Sequence, residues 1–191
     1  MDKSEVKIER PSLANARFMS FRTAKEEWGL YKIEDGSVLR AKVLLTGVLI
    51  EGNLDEMENQ IKAGQKPKLG LTFRPSNLFA VESPPELRGT PDPTIYPIEE
   101  LRGSIVKEDM DFETMKETWN LYELENGIVL KMRISPTAIS KTNKFESAGM
   151  PLYTVDASID VKVEMPEHIR KLLKEKQARV PTTRSVEQGG L

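Results

Sequence analysis

The sequence predicts a mainly β protein with minor α content. It reads as two tandem, homologous antiparallel β-modules, barrel- or sandwich-like, in a pseudo-twofold arrangement and followed by a short C-terminal helix. Three observations predict this. FRTAKEEWGLYKIEDGSVLRAKV, from Phe21, aligns without gaps on FETMKETWNLYELENGIVLKMRI, from Phe112, at an offset of 91 residues that superimposes the chain's two tryptophans, Trp28 and Trp119. AVESPPELR, from Ala80, aligns on KVEMPEHIR, from Lys162, at an offset of 82. Around Asp35-Gly36 and Asn126-Gly127, apolar and polar residues alternate on both sides, which is how a β-hairpin reads.

Taken in chain order, 1–16 has little apolar content and is read as a flexible N-terminus. The first β-module is 17–88. Met19, Phe21, Thr23 and Lys25 recur as Met110, Phe112, Thr114 and Lys116, and identities at every second residue are what a strand with one fixed face leaves. The hairpin follows. A two-residue type I′ turn at Asp35-Gly36 pairs Tyr31 with Arg40 and Leu30 with Ala41. That register sorts Trp28, Leu30, Leu39, Ala41 and Val43 onto one apolar face, whereas a three-residue loop would oppose Trp28 to Lys42. Copy one carries extra residues before its next strands, and a helix is expected there at about 53–63, with Asn53 as N-cap and Gly64 as the stop. Residues 89–107 form a Pro-rich connector. The second module is 108–170, a C-terminal helix is expected over 166–178, and 181–191 is read as a flexible tail.

Composition excludes more than it names. The 191 residues hold 28 basic and 30 acidic side chains, so no global field points to nucleic acid or membrane. There is no cysteine, and His168 is the only histidine. A Cys-based zinc site, a thiolate nucleophile and multi-His metal sites are therefore impossible, and a His-based catalytic apparatus is disfavoured. No metal site or cofactor is expected. No apolar run approaches the roughly 20 residues needed to span a bilayer, so a soluble cytoplasmic protein is expected. Phosphate-binding and hydrolase motifs are missing.

Two features bear on binding. The second hairpin face carries Tyr31, Arg40 and Lys42 in one copy and Tyr122, Lys131 and Arg133 in the other. An aromatic beside a cation on an exposed sheet is chemistry that binds single-stranded nucleic acid, although such pairs also serve as ordinary cross-strand stabilisers. The C-terminal helix carries Arg170, Lys171, Lys174, Lys176 and Arg179 beside an apolar stripe of Ile169, Leu172 and Leu173. It would suit an anionic surface, or would simply dock the stripe on its own domain. Asp156 and Asp160, and the acidic run 108–113, read as solvated carboxylates. Arg17 and Arg22 stand where the other copy has Glu108 and Glu113, an inversion expected to let the modules face each other with opposite signs.

The leading functional expectation is a non-enzymatic binding or scaffold protein whose duplicated modules engage a protein partner. The alternatives are single-stranded RNA or DNA binding through the Tyr/Arg/Lys face, and a small-molecule enzyme with an inter-module pocket near Tyr153, Asp156 or Asp160. The sequence does not fix the oligomeric state.

Overall fold

The computed structural model describes residues 7–9 and 14–178. Just over half of the described residues are in strands, arranged in two sheets, with three α-helices among them including a short C-terminal one; neither sheet closes into a barrel. Expectations for 1–6, 10–13, Arg179 and the tail at 181–191 lie outside the described residues. No helix among the described residues is long and apolar enough to cross a membrane.

The strands are β1 (Lys7–Glu9), β2 (Arg17–Phe18), β3 (Phe21–Lys25), β4 (Gly29–Ile33), β5 (Val38–Glu51), β6 (Lys68–Glu82), β7 (Ile105–Lys107), β8 (Phe112–Lys116), β9 (Asn120–Leu124), β10 (Val129–Phe145) and β11 (Pro151–Glu164). The helices are α1 (Leu54–Lys62), α2 (Ile98–Gly103) and α3 (Glu167–Ala178). One sheet runs β1-β6-β5-β4-β8, with β2 also on β5. The other runs β11-β10-β9-β3, with β7 also on β10. All pairings are antiparallel except the short β1 on β6.

The order contains an exchange. The strand β3, which precedes the first hairpin, pairs with β9 of the second copy. Its counterpart β8 pairs with β4 of the first. Between each of these strands and the hairpin that follows it the chain therefore crosses from one sheet to the other, at Glu26–Trp28 and at Glu117–Trp119, and each sheet is completed by a strand from the other half. Behind each hairpin lies a long two-stranded arm, β5–β6 or β10–β11. Both arms are offset at aligned places, between Leu45 and Gly47 and between Pro136 and Ala138.

The turn chemistry corrects the expected register. Ile33 N–H donates to the Ser37 carbonyl at 2.8 Å and Gly36 N–H to the Ile33 carbonyl at 2.9 Å, so the loop is three residues long. Leu124, Gly127 and Ile128 repeat the pattern. A type I′ turn needs two positive φ angles. Only the glycines have one here, Gly36 at 88° and Gly127 at 82°, while Asp35 and Asn126 spend their side chains accepting the N–H two residues on. The register therefore slips by one. Tyr31 faces Leu39 and Leu30 faces Arg40; Tyr122 faces Leu130 and Leu121 faces Lys131.

That slip turns Tyr31 and Tyr122 inward and Trp28 and Leu30 outward. The opposition of Trp28 to Lys42 that argued against a three-residue loop is a favourable contact, with Lys42 Nζ 5.6 Å from the ring centroid. A single core spans both halves, with Tyr31, Leu39, Ala41, Tyr122, Leu130 and Met132 all buried. Helix α1 is capped by Asn53, whose side chain accepts the Glu56 N–H at 2.8 Å, and it buries Met57 and Ile61 beside α3.

Candidate functional site

Of the six residues expected to form an exposed binding face, Tyr31, Lys42, Tyr122 and Arg133 instead bind the carboxylates of the segments that cross between sheets. Tyr31 is 1% exposed and Tyr122 is 0%, so neither ring is open to a base. The Tyr31 hydroxyl reaches the Ile134 carbonyl and Glu117 Oε1, each at 3.1 Å. The Tyr122 hydroxyl reaches Glu26 Oε1 at 2.8 Å and the Val43 carbonyl at 3.2 Å. In both cases the carboxylate lies in the segment that crosses between sheets. Burial, and then the neighbouring carboxylate, push both phenols well above their ordinary range.

The cations are committed too. Lys42 pairs with Glu26 at 3.3 Å, and Arg133 with Glu117 at 3.1 Å and Asp160 at 2.6 Å. Arg40 pairs with Glu82 at 2.9 Å and Lys131 with Glu164 at 2.6 Å. What the outer faces do offer is tryptophan. The Trp119 ring has Arg133 at 4.8 Å and Lys162 at 4.6 Å from its centroid.

Helix α3 docks its stripe. Ile169 is buried and Leu172 and Leu173 pack against the core. Lys171 pairs with Glu167 at 2.9 Å and Lys176 donates to the Gln65 carbonyl at 3.0 Å, while Arg170 and Lys174 point to solvent. Asp156 pairs with Arg102 at 2.7 Å, and Asp160 is taken by Arg133, so the two carboxylates do not share a site. His168 is exposed. Among the described residues, no group of three or more His, Asp or Glu is placed to hold a metal ion.

One constellation escaped the reading of the sequence. At the first turn, Asp35 Oδ2 accepts from the Tyr153 hydroxyl at 2.7 Å and from Lys141 Nζ at 3.1 Å, while Asp35 Oδ1 accepts the Ser37 N–H at 3.0 Å. Ser37 Oγ lies 2.9 Å from Ser83 Oγ and 3.0 Å from the Tyr153 hydroxyl. Burial pushes the Asp35 carboxyl up, but the bonds from Tyr153, Ser37 and Lys141 outweigh it and hold the group below the usual carboxylate range. Burial pushes the Tyr153 phenol up.

The same places around the second turn are filled differently. The two offsets map Asp35, Ser37 and Ser83 onto Asn126, Ile128 and Met165, and Lys141 and Tyr153 onto Ile50 and Leu71. Lys141 is the cross-strand partner of Tyr153, and Ile50 is that of Leu71. Ile50, Leu71, Ile128 and Met165 are all buried. One turn therefore rests on a polar network and the other on core. The signal was present in the alignment, at Ser37 against Ile128 and Ser83 against Met165, but the strand pairing was needed to bring Lys141 and Tyr153 to the same place.

The polar turn forms one wall of an open depression of about 650 Å³ lined by Lys32, Ile33, Glu34, Asp35, Gly36, Asp111, Phe112 and Glu113. Four of these are carboxylates. Lys107 answers Glu34 at 2.7 Å and Lys141 answers Asp35. The strand that supplies Phe112 and Glu113, β8, is the last of its sheet among the described residues, where it is bonded to β4 alone. Ser37 is 0% exposed, so its hydroxyl is placed to fix the wall rather than to attack a substrate. No family model matches the chain, and neither does any curated protein or solved structure.

Proposed function

We propose that the chain is a binding or scaffold protein, made of two homologous modules about a pseudo-twofold axis, that engages a protein partner at the polar turn of the first copy. The asymmetry of the two turns carries this reading. A buried polar network is seldom more stabilising than well-packed apolar residues in the same place, and this chain holds the apolar solution at its other turn. The polar version therefore serves recognition. It braces Asp35 at the wall of a depression whose acidic rim and Phe112 suit an extended segment bearing basic side chains. Such a segment would add as a strand to the open edge of β8, main-chain bonds giving affinity and the depression giving selectivity.

The test is capture from native lysate by the tagged full chain, compared with Asp111→Lys, in the lining of the depression, plus Met115→Arg, further along β8, both exposed positions. A partner retained by the parent and lost by the variant, with unchanged thermal stability, is expected. Equal capture by the two would contradict this reading.

A second reading has one observation in its favour. Trp119 beside Arg133 and Lys162 supplies an aromatic with cations on an outer face, which would stack a base of single-stranded nucleic acid. Binding to a fluorescent oligo-dT at low salt, abolished by Trp119→Ala and falling steeply as salt rises, is what this alternative requires.

A further inference from the structure

The two lead strands show their acceptors nearly the same inner surface. Phe21 meets Tyr122 edge-on, and Phe112 meets Tyr31 edge-on, with ring centroids 6.0 Å apart in both pairs. Thr23 and Lys25 of β3 recur as Thr114 and Lys116 of β8, and both acceptor hairpins offer Leu-Tyr. These contacts do not distinguish one acceptor from the other. The linkers from lead strand to hairpin are also equally long, so a lead strand folding back on its own hairpin would find the same rings and hydroxyls.

Charge at one register position does distinguish them. Arg22 stands opposite Glu123 and is ion-paired with it, and Glu113 stands opposite Lys32. These four positions correspond under the repeat, Arg22 to Glu113 and Lys32 to Glu123. Self-closure would therefore set Arg22 against Lys32 and Glu113 against Glu123, and like charges directly opposite in a sheet are destabilising. Both alternatives are repulsive and both observed pairings are attractive.

We propose that Arg22 with Glu123 and Glu113 with Lys32 form a pairing code. The code directs each lead strand to the hairpin of the opposite copy, in this chain or in a second copy of it. It bars closure of a lead strand on its own hairpin and like-with-like exchange between two chains. The lead strands are thus an interaction surface whose accepted partner is set by sign rather than by shape.

The absence of cysteine makes disulfide trapping in the full chain a clean test. Leu30→Cys with Lys116→Cys, opposite one another in the observed register, reports the exchanged pairing. Leu30→Cys with Lys25→Cys reports self-closure, because Lys25 holds in β3 the place of Lys116 in β8. The signs are then inverted with Arg22→Glu and Glu113→Arg. The exchanged crosslink is expected to fall roughly fivefold or more, and the like-with-like crosslink to rise, within a chain or as a crosslinked dimer. Adding Lys32→Glu and Glu123→Arg is expected to restore the exchanged crosslink. An undiminished exchanged crosslink in the inverted chain overturns the code. So does failure of the fourfold variant to restore it, including the case in which the inverted chain does not fold.

Discussion

The two hairpin turns share a backbone pattern and differ in what lies beneath them. Under the second turn Ile128, Ile50 and Leu71 join the core, and α1 and α3 lie side by side with Met57, Ile61 and Ile169 buried. Under the first turn Asp35, Ser37, Ser83, Lys141 and Tyr153 satisfy one another next to an open depression. Identical turn geometry shows that neither interior is dictated by the backbone. The difference teaches that a polar interior and an apolar one both fit beneath the same turn backbone.

The comparison breaks most severely at the apolar turn. Ile128→Ser places the first copy's hydroxyl where Leu71 and Ile50 offer it no partner, and should lower the unfolding free energy by about 2–4 kcal/mol, measured by urea denaturation. Next comes Asp35→Asn, the residue the second turn already has. It leaves Lys141 without its carboxylate and should cost about 1–3 kcal/mol. This variant also has a pH signature. The folded Asp35 carboxyl titrates below its unfolded value, so its contribution is present above the ordinary carboxylate range, near pH 4, and is lost as pH falls through the folded value. Asp35→Asn should accordingly destabilise the chain more at pH 7 than at pH 3, and an equal loss at both would remove the ion pair from the account.

A smaller effect sharpens the comparison by touching what the two halves share. Tyr31→Phe and Tyr122→Phe should each cost about 0.5–2 kcal/mol and should match one another, because each deletes a hydroxyl bonded to a crossing carboxylate and a strand carbonyl. Both phenols titrate above their unfolded value. Their stabilisation is therefore full below about pH 10 and is lost as pH rises through the folded value, so each variant should flatten the alkaline limb of the stability curve. Smallest of all, Arg170→Ala with Lys174→Ala should shift stability by no more than about 0.5 kcal/mol per residue, since those side chains point away from the docked stripe of α3.

Much of the fold was legible because repeats and alternation are written locally. The mainly β class followed from the aligned blocks, and Asn53 and Gly64 marked α1. The register failed by one residue for a physical reason. Asp-Gly and Asn-Gly fit a three-residue loop as well as a type I′ turn, and apolar sorting favours the shorter loop only if Trp28 beside Lys42 counts as a mismatch. A half-buried indole accepts a cation on its face. From that slip followed the reading of Tyr31 and Tyr122 as an exposed pair with Arg40, Lys42, Lys131 and Arg133. The exchange of β3 and β8 was illegible because period-two alternation states which face a strand buries and not which neighbour it takes. The polar turn was hidden for the same reason, as Asp35 and Lys141 are 106 residues apart and meet only through sheet pairing.

The central claim is that the polar network under the first turn is kept for binding and is not needed to hold the fold. Transplanting the second turn's residues tests it most directly, with Asp35→Asn, Ser37→Ile, Ser83→Met, Lys141→Ile and Tyr153→Leu in one chain. Urea denaturation should return an unfolding free energy unchanged or raised by about 1–4 kcal/mol, as when buried polar groups give way to apolar ones, with the slope against denaturant unchanged. A fall of more than about 2 kcal/mol would show that the network itself supports the fold, and would contradict the account.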